Sequence, residues 1–207
     1  MTYSRLIAGT MTWGSWGKQF SKKEMAALIH YCISNNITTF DHADIYGAYT
    51  TEADFGKAFI DSGIKREDIQ LISKCGIQYV CDNRNNKVKH YNYSKDYIIW
   101  SVEESLKNLN TEYLDLLLLH RPSPLMVAEE IAEAITILKK DGKIRDFGVS
   151  NFTSSQMDMI GLRIDVDVNQ IEFSLTQHSA MHDGTLDYMT TSGIKPMAWS
   201  PLGSVFR

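Results

Sequence analysis

The chain has 207 residues, of which 43% are hydrophobic and 22% are charged, and such a composition predicts a globular protein with a large apolar core. The formal net charge is -4 with acidic and basic residues interspersed, so nothing predicts binding to nucleic acid or to an anionic membrane. No linker, signal peptide or membrane-length apolar run is evident, and we expect one cytoplasmic domain over residues 1–207.

Cysteine and histidine spacing gives no metal site. Cys32, Cys75 and Cys81 form an odd set without a secretion signal, which predicts reduced thiols. His178 and His182 are four residues apart but have no carboxylate or thiolate near them in the sequence. They are more typical of a polar loop than of metal ligands, and we expect no metal.

Short apolar segments alternate along the chain with longer segments of helical period. The apolar segments are bounded by turn residues, as parallel strands covered on both faces are. Seven strands are predicted, at residues 5–11, 38–43, 69–74, 114–119, 144–149, 167–171 and 196–199.

The intervening segments begin and end like helices. Ser21 with Glu24, and Thr153 with Gln156, are spaced as capping boxes, which start helices. An apolar stripe at three- and four-residue spacing predicts a core-facing helix. Its members are Val127, Ile131, Ala134, Ile135 and Leu138. The glycines Gly63, Gly142 and Gly193 follow such segments and are predicted to end helices in the left-handed conformation.

Repeated βα units indicate a parallel α/β protein, either a doubly wound sheet or a closed barrel. Gly9, Gly14 and Gly17 lack the G-x-G-x-x-G spacing that a doubly wound nucleotide-binding sheet usually has after its first strand. We therefore predict a (β/α)8 TIM-type barrel. Because a whole barrel needs roughly 250 residues, we expect about seven of its eight strands here, with the last βα region and the C-terminal portion absent.

Polar residues recur where the predicted strands end. On a barrel these strand ends form one ring, so their side chains would converge. Each residue alone has an ordinary explanation, such as a hydrogen-bonded structural histidine or a helix-capping aspartate. One functional site explains the whole set better than a separate structural role for every residue. The set consists of Asp41, Lys74, His120, Ser150, Asn151, Gln170, Trp199 and Ser200, with Tyr46 five residues after Asp41.

The motifs around these residues resemble the aldo-keto reductase superfamily in order and spacing over nearly the whole chain. They are FDHADIYG (40–47), SKC (73–75), LLLHRP (117–122), GVSNF (148–152), NQIE (169–172) and AWSPLG (198–203). The insert after Lys74 and the run at 183–187 resemble the bacterial YdhF-like oxidoreductase branch. The resemblance implies an oxidoreductase that transfers a hydride between NAD(P)H and an aldehyde or ketone.

The same resemblance implies a role for each matching residue. Asp41, Tyr46, Lys74 and His120 correspond to the catalytic tetrad. A second set corresponds to cofactor-binding residues: Ser150, Asn151 and Gln170 at the nicotinamide carboxamide, Trp199 stacked on the ring, and Ser200, Leu202 and Ser204 over the pyrophosphate. The implied cofactor is NADPH. NADH stays open, because the segment that binds the adenosine 2′-phosphate of NADPH in this superfamily would lie beyond residue 207.

Carbonyl reduction predicts a separate role for each of the four candidate catalytic side chains. Tyr46 would donate a proton to the carbonyl oxygen, and a free phenol, with a pKa of about 10, is a poor acid near neutrality. We expect the Lys74 ammonium to lower the pKa of Tyr46, Asp41 to keep Lys74 charged, and His120 to polarise the oxygen. Aromatic residues near the same loops are candidates for a substrate pocket: Trp13, Trp16, Tyr49 and Phe152.

Two other functions remain open at this point. A non-catalytic nicotinamide-binding or regulatory subunit would keep the fold without turnover, and ion-channel β-subunits resemble this superfamily. A barrel lyase would use Lys74 as a Schiff base. In all three cases we expect a small-molecule ligand and neither a nucleic acid nor a membrane as partner, while the sequence leaves open whether the chain is a homo-oligomer.

Overall fold

The computed structural model describes residues 3–204 and contains nine strands. They are β1 (Ile7–Gly9), β2 (Thr39–Asp41), β3 (Gln70–Cys75), β4 (Ile77–Gln78), β5 (His90–Tyr91), β6 (Leu114–Leu119), β7 (Ile144–Ser150), β8 (Val168–Glu172) and β9 (Lys195–Trp199). Seven form one sheet in the order β1-β2-β3-β6-β7-β8-β9, and every neighbouring pair is parallel. All seven predicted strands are confirmed, although β1 and β2 are shorter than predicted.

Six α-helices connect or flank these strands. They are α1 (Lys22–Ser34), α2 (Thr51–Ser62), α3 (Lys95–Leu109), α4 (Ala128–Lys140), α5 (Ser154–Gly161) and α6 (Thr185–Thr191). Both predicted capping boxes are confirmed: the side chains of Ser21 and Thr153 each accept from the third helical amide. In return, their backbone amides donate to the side chains of Glu24 and Gln156. Gly63, Gly142 and Gly193 have φ values of 68, 70 and 71 degrees, as predicted for helix ends.

The apolar stripe of α4 is confirmed except at its first member. Ile131, Ala134, Ile135 and Leu138 are fully buried. Val127 is 46% exposed, because its extended backbone places it before the helix as the N-cap and so off the helical face. The prediction was therefore wrong for Val127, where the three- and four-residue spacing does not yet apply.

The sheet curls as in a barrel. Gln170 Nε2 on β8 donates to Asp41 Oδ1 on β2 over 3.1 Å, although three strands lie between them in the sheet. In a flat sheet, strands about 4.8 Å apart would place these residues nearly 20 Å from each other. The strand order also follows the sequence without the reversal of a doubly wound sheet, and the predicted barrel fold is confirmed.

Alternating residues on the strands divide the core into two layers. Leu116 and Leu118 point inward and join Ile72, Val168 and Met197 inside the curl. Leu117 and Leu119 belong to the larger cluster that packs beneath the helices. This alternation explains why the central strands are apolar throughout, since both of their faces are covered. Within residues 3–204, β1 pairs only with β2 and β9 only with β8.

A hairpin that the sequence analysis did not predict follows β3. In it, β4 and β5 pair antiparallel through Ile77 with Tyr91 and Gln78 with His90. The Arg84 guanidinium in the connecting loop lies 4.5 Å from the ring centre of Tyr49 and 4.4 Å from that of Trp100. These contacts attach the hairpin near the C-terminal ends of the strands, where the candidate residues lie.

Candidate active site

A cavity of about 1110 Å³ opens at the C-terminal ends of the strands and extends into the curl of the sheet. Asp41 ends β2, His120 directly follows β6, Ser150 ends β7 and Trp199 ends β9. Tyr46 lies in the turn after β2, and all five residues line this cavity. The barrel therefore brings together side chains that are far apart in the sequence.

Lys74 is the centre of the candidate catalytic set. Its Nζ donates to the two carboxylate oxygens of Asp41 at 2.8 and 2.7 Å, to the backbone oxygen of His42 at 2.8 Å and to the Tyr46 hydroxyl at 3.2 Å. Burial opposes the ammonium charge, but Asp41 and Tyr46 outweigh it, so the pKa of Lys74 is raised. A charged amine is not a nucleophile, and this geometry argues against the Schiff-base lyase.

The Tyr46 hydroxyl is held by Lys74, but its acidity differs from the expectation. Burial raises the pKa of Tyr46 above its ordinary value, and the nearby Lys74 charge, which acts in the opposite direction, does not cancel this effect. The expected lowering of this pKa was wrong, because the sequence showed the cation but not the desolvation of the phenol. Tyr46 is therefore a protonated phenol at neutral pH.

His120 completes the set as a neutral imidazole. Its ring centre lies 6.0 Å from that of Tyr46 in an edge arrangement. Burial, with the charges of Lys74 and Arg121, holds the pKa of His120 well below its ordinary value. Nδ1 is buried with no hydrogen-bond partner in the described part of the chain. A neutral imidazole has one N–H to donate, and a carbonyl oxygen between His120 and Tyr46 could accept from both side chains.

The residues expected to hold a nicotinamide lie across the cavity and are linked to one another. Trp199 Nε1 donates to Asn151 Oδ1 at 3.0 Å, and Asn151 Nδ2 donates to Ser150 Oγ at 2.8 Å. Ser150 Oγ donates in turn to the backbone oxygen of Gln170 at 3.0 Å. Asn151 adopts a left-handed φ of 59 degrees, which asparagine tolerates and which turns its amide into this network.

These residues fit a nicotinamide. Trp199 lines the cavity as a flat indole whose position is fixed by its bond to Asn151, and the adjacent amide and hydroxyl groups could exchange these bonds for bonds to a carboxamide. Gln170 Nε2 instead contacts Asp41, so its amide ties the cofactor side of the cavity to the catalytic side.

The loop after β9 is only partly at the cavity. Ser200 lines it, with a left-handed φ of 49 degrees. Leu202 is 66% exposed, and the Ser204 amide donates to Thr176 Oγ1 at 3.3 Å; neither residue lines the cavity. The pyrophosphate role expected for Leu202 and Ser204 stays a prediction that this arrangement of the loop does not itself support.

Comparison with known proteins agrees with this geometry. The sequence model of the aldo/keto reductase family matches residues 5–207. The chain belongs to this family. It is 48% identical over its whole length to the uncharacterized oxidoreductase YcsN of Bacillus subtilis (strain 168), of which it covers 70%. It is 42% identical, over 97% of its length, to oxidoreductase YdhF of Escherichia coli (strain K12), of which it covers 67%.

A solved structure gives the same result for the fold. The glycerol dehydrogenase of Gluconobacter oxydans superposes on this aldo/keto reductase chain with a TM-score of 0.83 at 28% identity, over 95% of this chain and 59% of that one. The predicted superfamily, the YdhF-like branch and the barrel are confirmed. The family and its oxidoreductase members support the prediction that the chain is an NAD(P)H-dependent oxidoreductase.

Of the aromatic residues expected in a substrate pocket, Trp16 lines the cavity, with its ring centre 6.3 Å from that of Tyr46. Trp13 and Phe152 are buried in the core instead. Tyr49 packs against Arg84 and accepts from the backbone amide of Tyr79. The sequence showed that these aromatics are near the strand ends but not which face of each turn they occupy.

Several residues at the site of this aldo/keto reductase chain were missed by the sequence analysis. Arg121 lines the cavity beside His120, and the unpredicted hairpin adds Ile77, Lys89 and Tyr91. The motif LLLHRP contains Arg121, and the position next to a candidate catalytic histidine was a signal that could have singled it out. The hairpin residues had no such signal, because their segment lacks a strand period.

A buried acidic pair lies behind the site, and it was also missed. Burial, followed by the charge of Glu52, raises the pKa of Asp44 to about 8. Asp44 Oδ2 accepts from Tyr97 and Ser101, each at 3.2 Å, and the Asp44 amide donates to the Lys74 carbonyl at 3.0 Å. The turn from β2 to Tyr46 is therefore held against β3 through the backbone of Lys74.

Among residues 3–204, no group of three or more histidine, cysteine, aspartate or glutamate side chains is placed to hold a metal ion. No helix there combines the length and apolar character that crossing a bilayer requires. The three cysteines are free thiols.

Proposed function

We propose that this chain reduces the carbonyl group of a small aldehyde or ketone with NADPH as hydride donor and Tyr46 as proton donor. The observation that supports the proposal is the buried contact of the Lys74 ammonium with both the Asp41 carboxylate and the Tyr46 hydroxyl at the cavity. The chain spans 59% of the glycerol dehydrogenase chain, and its own activity, substrate and cofactor preference are part of the proposal.

The chain's residues perform three tasks in this reaction. When bound, the reduced nicotinamide supplies a hydride to the carbonyl carbon, so negative charge develops on the carbonyl oxygen. His120 and Tyr46 each donate a hydrogen bond to that oxygen, and the Tyr46 proton then moves to it as the alcohol forms. The Lys74 ammonium stabilises the phenolate left on Tyr46 until solvent returns a proton.

The electrostatics of the site predict how reduction and the reverse reaction depend on pH. Because burial raises the pKa of Tyr46, the phenol is fully protonated at neutral pH and ready to donate. Alcohol oxidation would begin with the phenolate, whose formation the same burial opposes. We therefore propose that reduction is active across neutral pH, whereas oxidation by the same site increases with rising pH.

Binding and turnover of the purified chain test this function separately. NADPH and NADH are titrated against Trp fluorescence, and an aldehyde and ketone panel is then assayed by loss of the absorbance of reduced nicotinamide. The expected result is tighter binding of NADPH, with turnover that Tyr46→Phe abolishes while binding stays within about threefold, because the phenol oxygen is not expected to hold the cofactor.

The other outcomes are equally informative. Binding without turnover would indicate the non-catalytic nicotinamide-binding alternative. Retained turnover in Tyr46→Phe would reject Tyr46 as the acid, because that variant keeps the ring and its contact with Trp16 but has no proton to give.

A further inference from the structure

Arg121 is a half-buried cation at the reacting end of the cavity. It directly follows His120, and its guanidinium carbon lies 5.3 Å from the ring centre of Trp199. In the described part of the chain, none of the ion pairs involves Arg121. Its side chain therefore presents N–H donors to the cavity without a carboxylate to receive them.

The backbone of Arg121 is held in place by a dedicated contact. The Tyr93 hydroxyl donates to the Arg121 carbonyl and accepts from its amide. Tyr93 can approach because residue 76 is glycine: a Cβ there would come within 2.0 Å of the Tyr93 ring, and Gly76 has a φ of 113 degrees. A rigid backbone lowers the entropic cost of ligand binding by the arginine.

The charges around the cavity favour an anion. Among residues 3–204, the lining cations are Arg5, Lys89, Arg121 and Lys195, and the one lining carboxylate, Asp41, is already paired with Lys74. Arg5 and Lys195 lie at the N-terminal ends of the first and last strands, away from Tyr46, whereas Arg121 acts directly on the catalytic pair. The Arg121 charge is among the causes that lower the pKa of His120, and it opposes the increase in the pKa of Tyr46.

We propose that Arg121 binds a carboxylate attached one or two carbons from the carbonyl that is reduced, so that the preferred substrates are α-keto acids and related oxo acids. The guanidinium matches a carboxylate through two parallel hydrogen bonds, and Trp16, Ile77 and Tyr91 line an apolar region for the rest of the substrate. Lys89, an exposed residue of the hairpin, contributes a weaker attraction. This inference rests on the proposed reductase function.

A matched pair of substrates tests the proposal. Phenylglyoxylate and its methyl ester differ in one negative charge, and kcat/KM is measured for both with wild type, Arg121→Gln, Arg121→Lys and Arg145→Gln. Arg145 is the control because it also stacks on an aromatic ring, 3.9 Å from the centre of Tyr113, but does not line the cavity. Arg121→Gln is expected to lose about 100-fold on the acid and less than about threefold on the ester.

The two other variants sharpen the result. Arg121→Lys is expected to recover part of the loss on the acid, since it keeps the charge but not the bidentate geometry. Arg145→Gln should match wild type on both substrates. Equal losses on acid and ester in Arg121→Gln would overturn the proposal, as would an NADPH dissociation constant raised about tenfold, which would assign Arg121 to the cofactor instead.

A binding measurement separates this proposal from the proposed function. Phenylacetate, which has the carboxylate but no reducible carbonyl, is titrated against Trp fluorescence with NADP⁺ present. Binding by wild type that weakens at least about tenfold in Arg121→Gln supports the carboxylate site even if neither substrate turns over, in which case the reductase function fails alone. Equal binding by both proteins, or none by wild type, rejects the carboxylate site.

Discussion

The two sides of the cavity are built differently. The side with the candidate catalytic residues lies on β2, β3 and β6, and each of these strands has a parallel neighbour on both edges. There Lys74 is fully buried and makes four hydrogen bonds. The cofactor side ends at β9, which pairs only with β8 among residues 3–204, and continues into a loop where Leu202 is 66% exposed.

This difference indicates that the chemistry and the cofactor affinity depend on separate structural features. The catalytic geometry follows from buried ion pairing between strands, and neighbouring strands would have to separate to disturb it. The residues expected to hold the pyrophosphate, Leu202 and Ser204, lie on the loop after β9 and do not line the cavity. Substitutions on the catalytic side should therefore change turnover and stability strongly, and those on the loop should change binding weakly.

The largest effect is expected from Lys74→Met. Without the ammonium, the Tyr46 phenolate is no longer stabilised, and kcat should fall about 1000-fold. The buried Asp41 would also lose its ion pair, which should lower the free energy of unfolding by about 3 kcal/mol. Steady-state kinetics and urea denaturation measure the two effects.

The double variant Lys74→Met/Asp41→Asn separates these consequences. It removes both charges and leaves no unpaired carboxylate, so stability should return toward that of wild type while kcat stays low. A single variant that kept kcat within about tenfold of wild type would show that the buried ion pair is structural only.

Asp44→Asn should change how stability depends on pH. The pKa of Asp44 is raised from 3.8 to about 8 in the folded chain, so the folded state holds a proton that the unfolded state releases above about pH 4. This favourable contribution is complete below the unfolded pKa and is lost as the pH rises to about 8. Asparagine mimics the neutral acid at every pH.

The expected result is a smaller change of the free energy of unfolding with pH in Asp44→Asn than in wild type. Between pH 5 and 8, the free energy of unfolding of wild type should fall by about 2–4 kcal/mol more than that of Asp44→Asn. Denaturant unfolding at each pH measures this difference. Asp61→Asn is the matched control for replacing an aspartate by an asparagine, because Asp61 is an exposed partner of Lys22. Parallel slopes for wild type and Asp44→Asn would mean that Asp44 is ionised in the folded chain.

The sequence predicted those features that depend on period and on strand ends. The strand at residues 114–119 was predicted to the residue, because apolar runs and turn residues mark its limits. Asp41, Tyr46 and His120 line one cavity, and Lys74 contacts the first two, because barrel topology brings strand ends together. The family resemblance was needed to assign a role to each.

Features that depend on three-dimensional burial could not be predicted. The direction of the Tyr46 pKa depends on whether desolvation or the Lys74 charge is larger, and a sequence shows neither the burial nor the distance. Asp44 accepts hydrogen bonds from Tyr97 and Ser101, more than fifty residues away, and a sequence does not show contacts between such distant residues. The strands β4 and β5 are two residues each, too short for any period.

On the cofactor side, Trp199→Phe should have a moderate effect. Phenylalanine keeps a flat face for stacking but loses the indole N–H that donates to Asn151 Oδ1. The NADPH dissociation constant should rise about fivefold, consistent with the loss of one hydrogen bond, while kcat at saturation changes little. Asn151→Ala should raise this constant similarly. If the two residues act through their shared bond, the double variant should be about as weak as either single variant, whereas additive losses would mean that they act independently.

The smallest effect is expected from Leu202→Ala. Because Leu202 is exposed and does not line the cavity, its truncation should change the NADPH dissociation constant by less than about twofold. Leu175→Ala, at an 85% exposed leucine outside the cavity, gives the baseline for such a change. A rise of about tenfold in Leu202→Ala alone would mean that the loop closes over the bound cofactor. In that case the cofactor side would be assembled by its ligand, whereas the catalytic side is preformed by buried ion pairing.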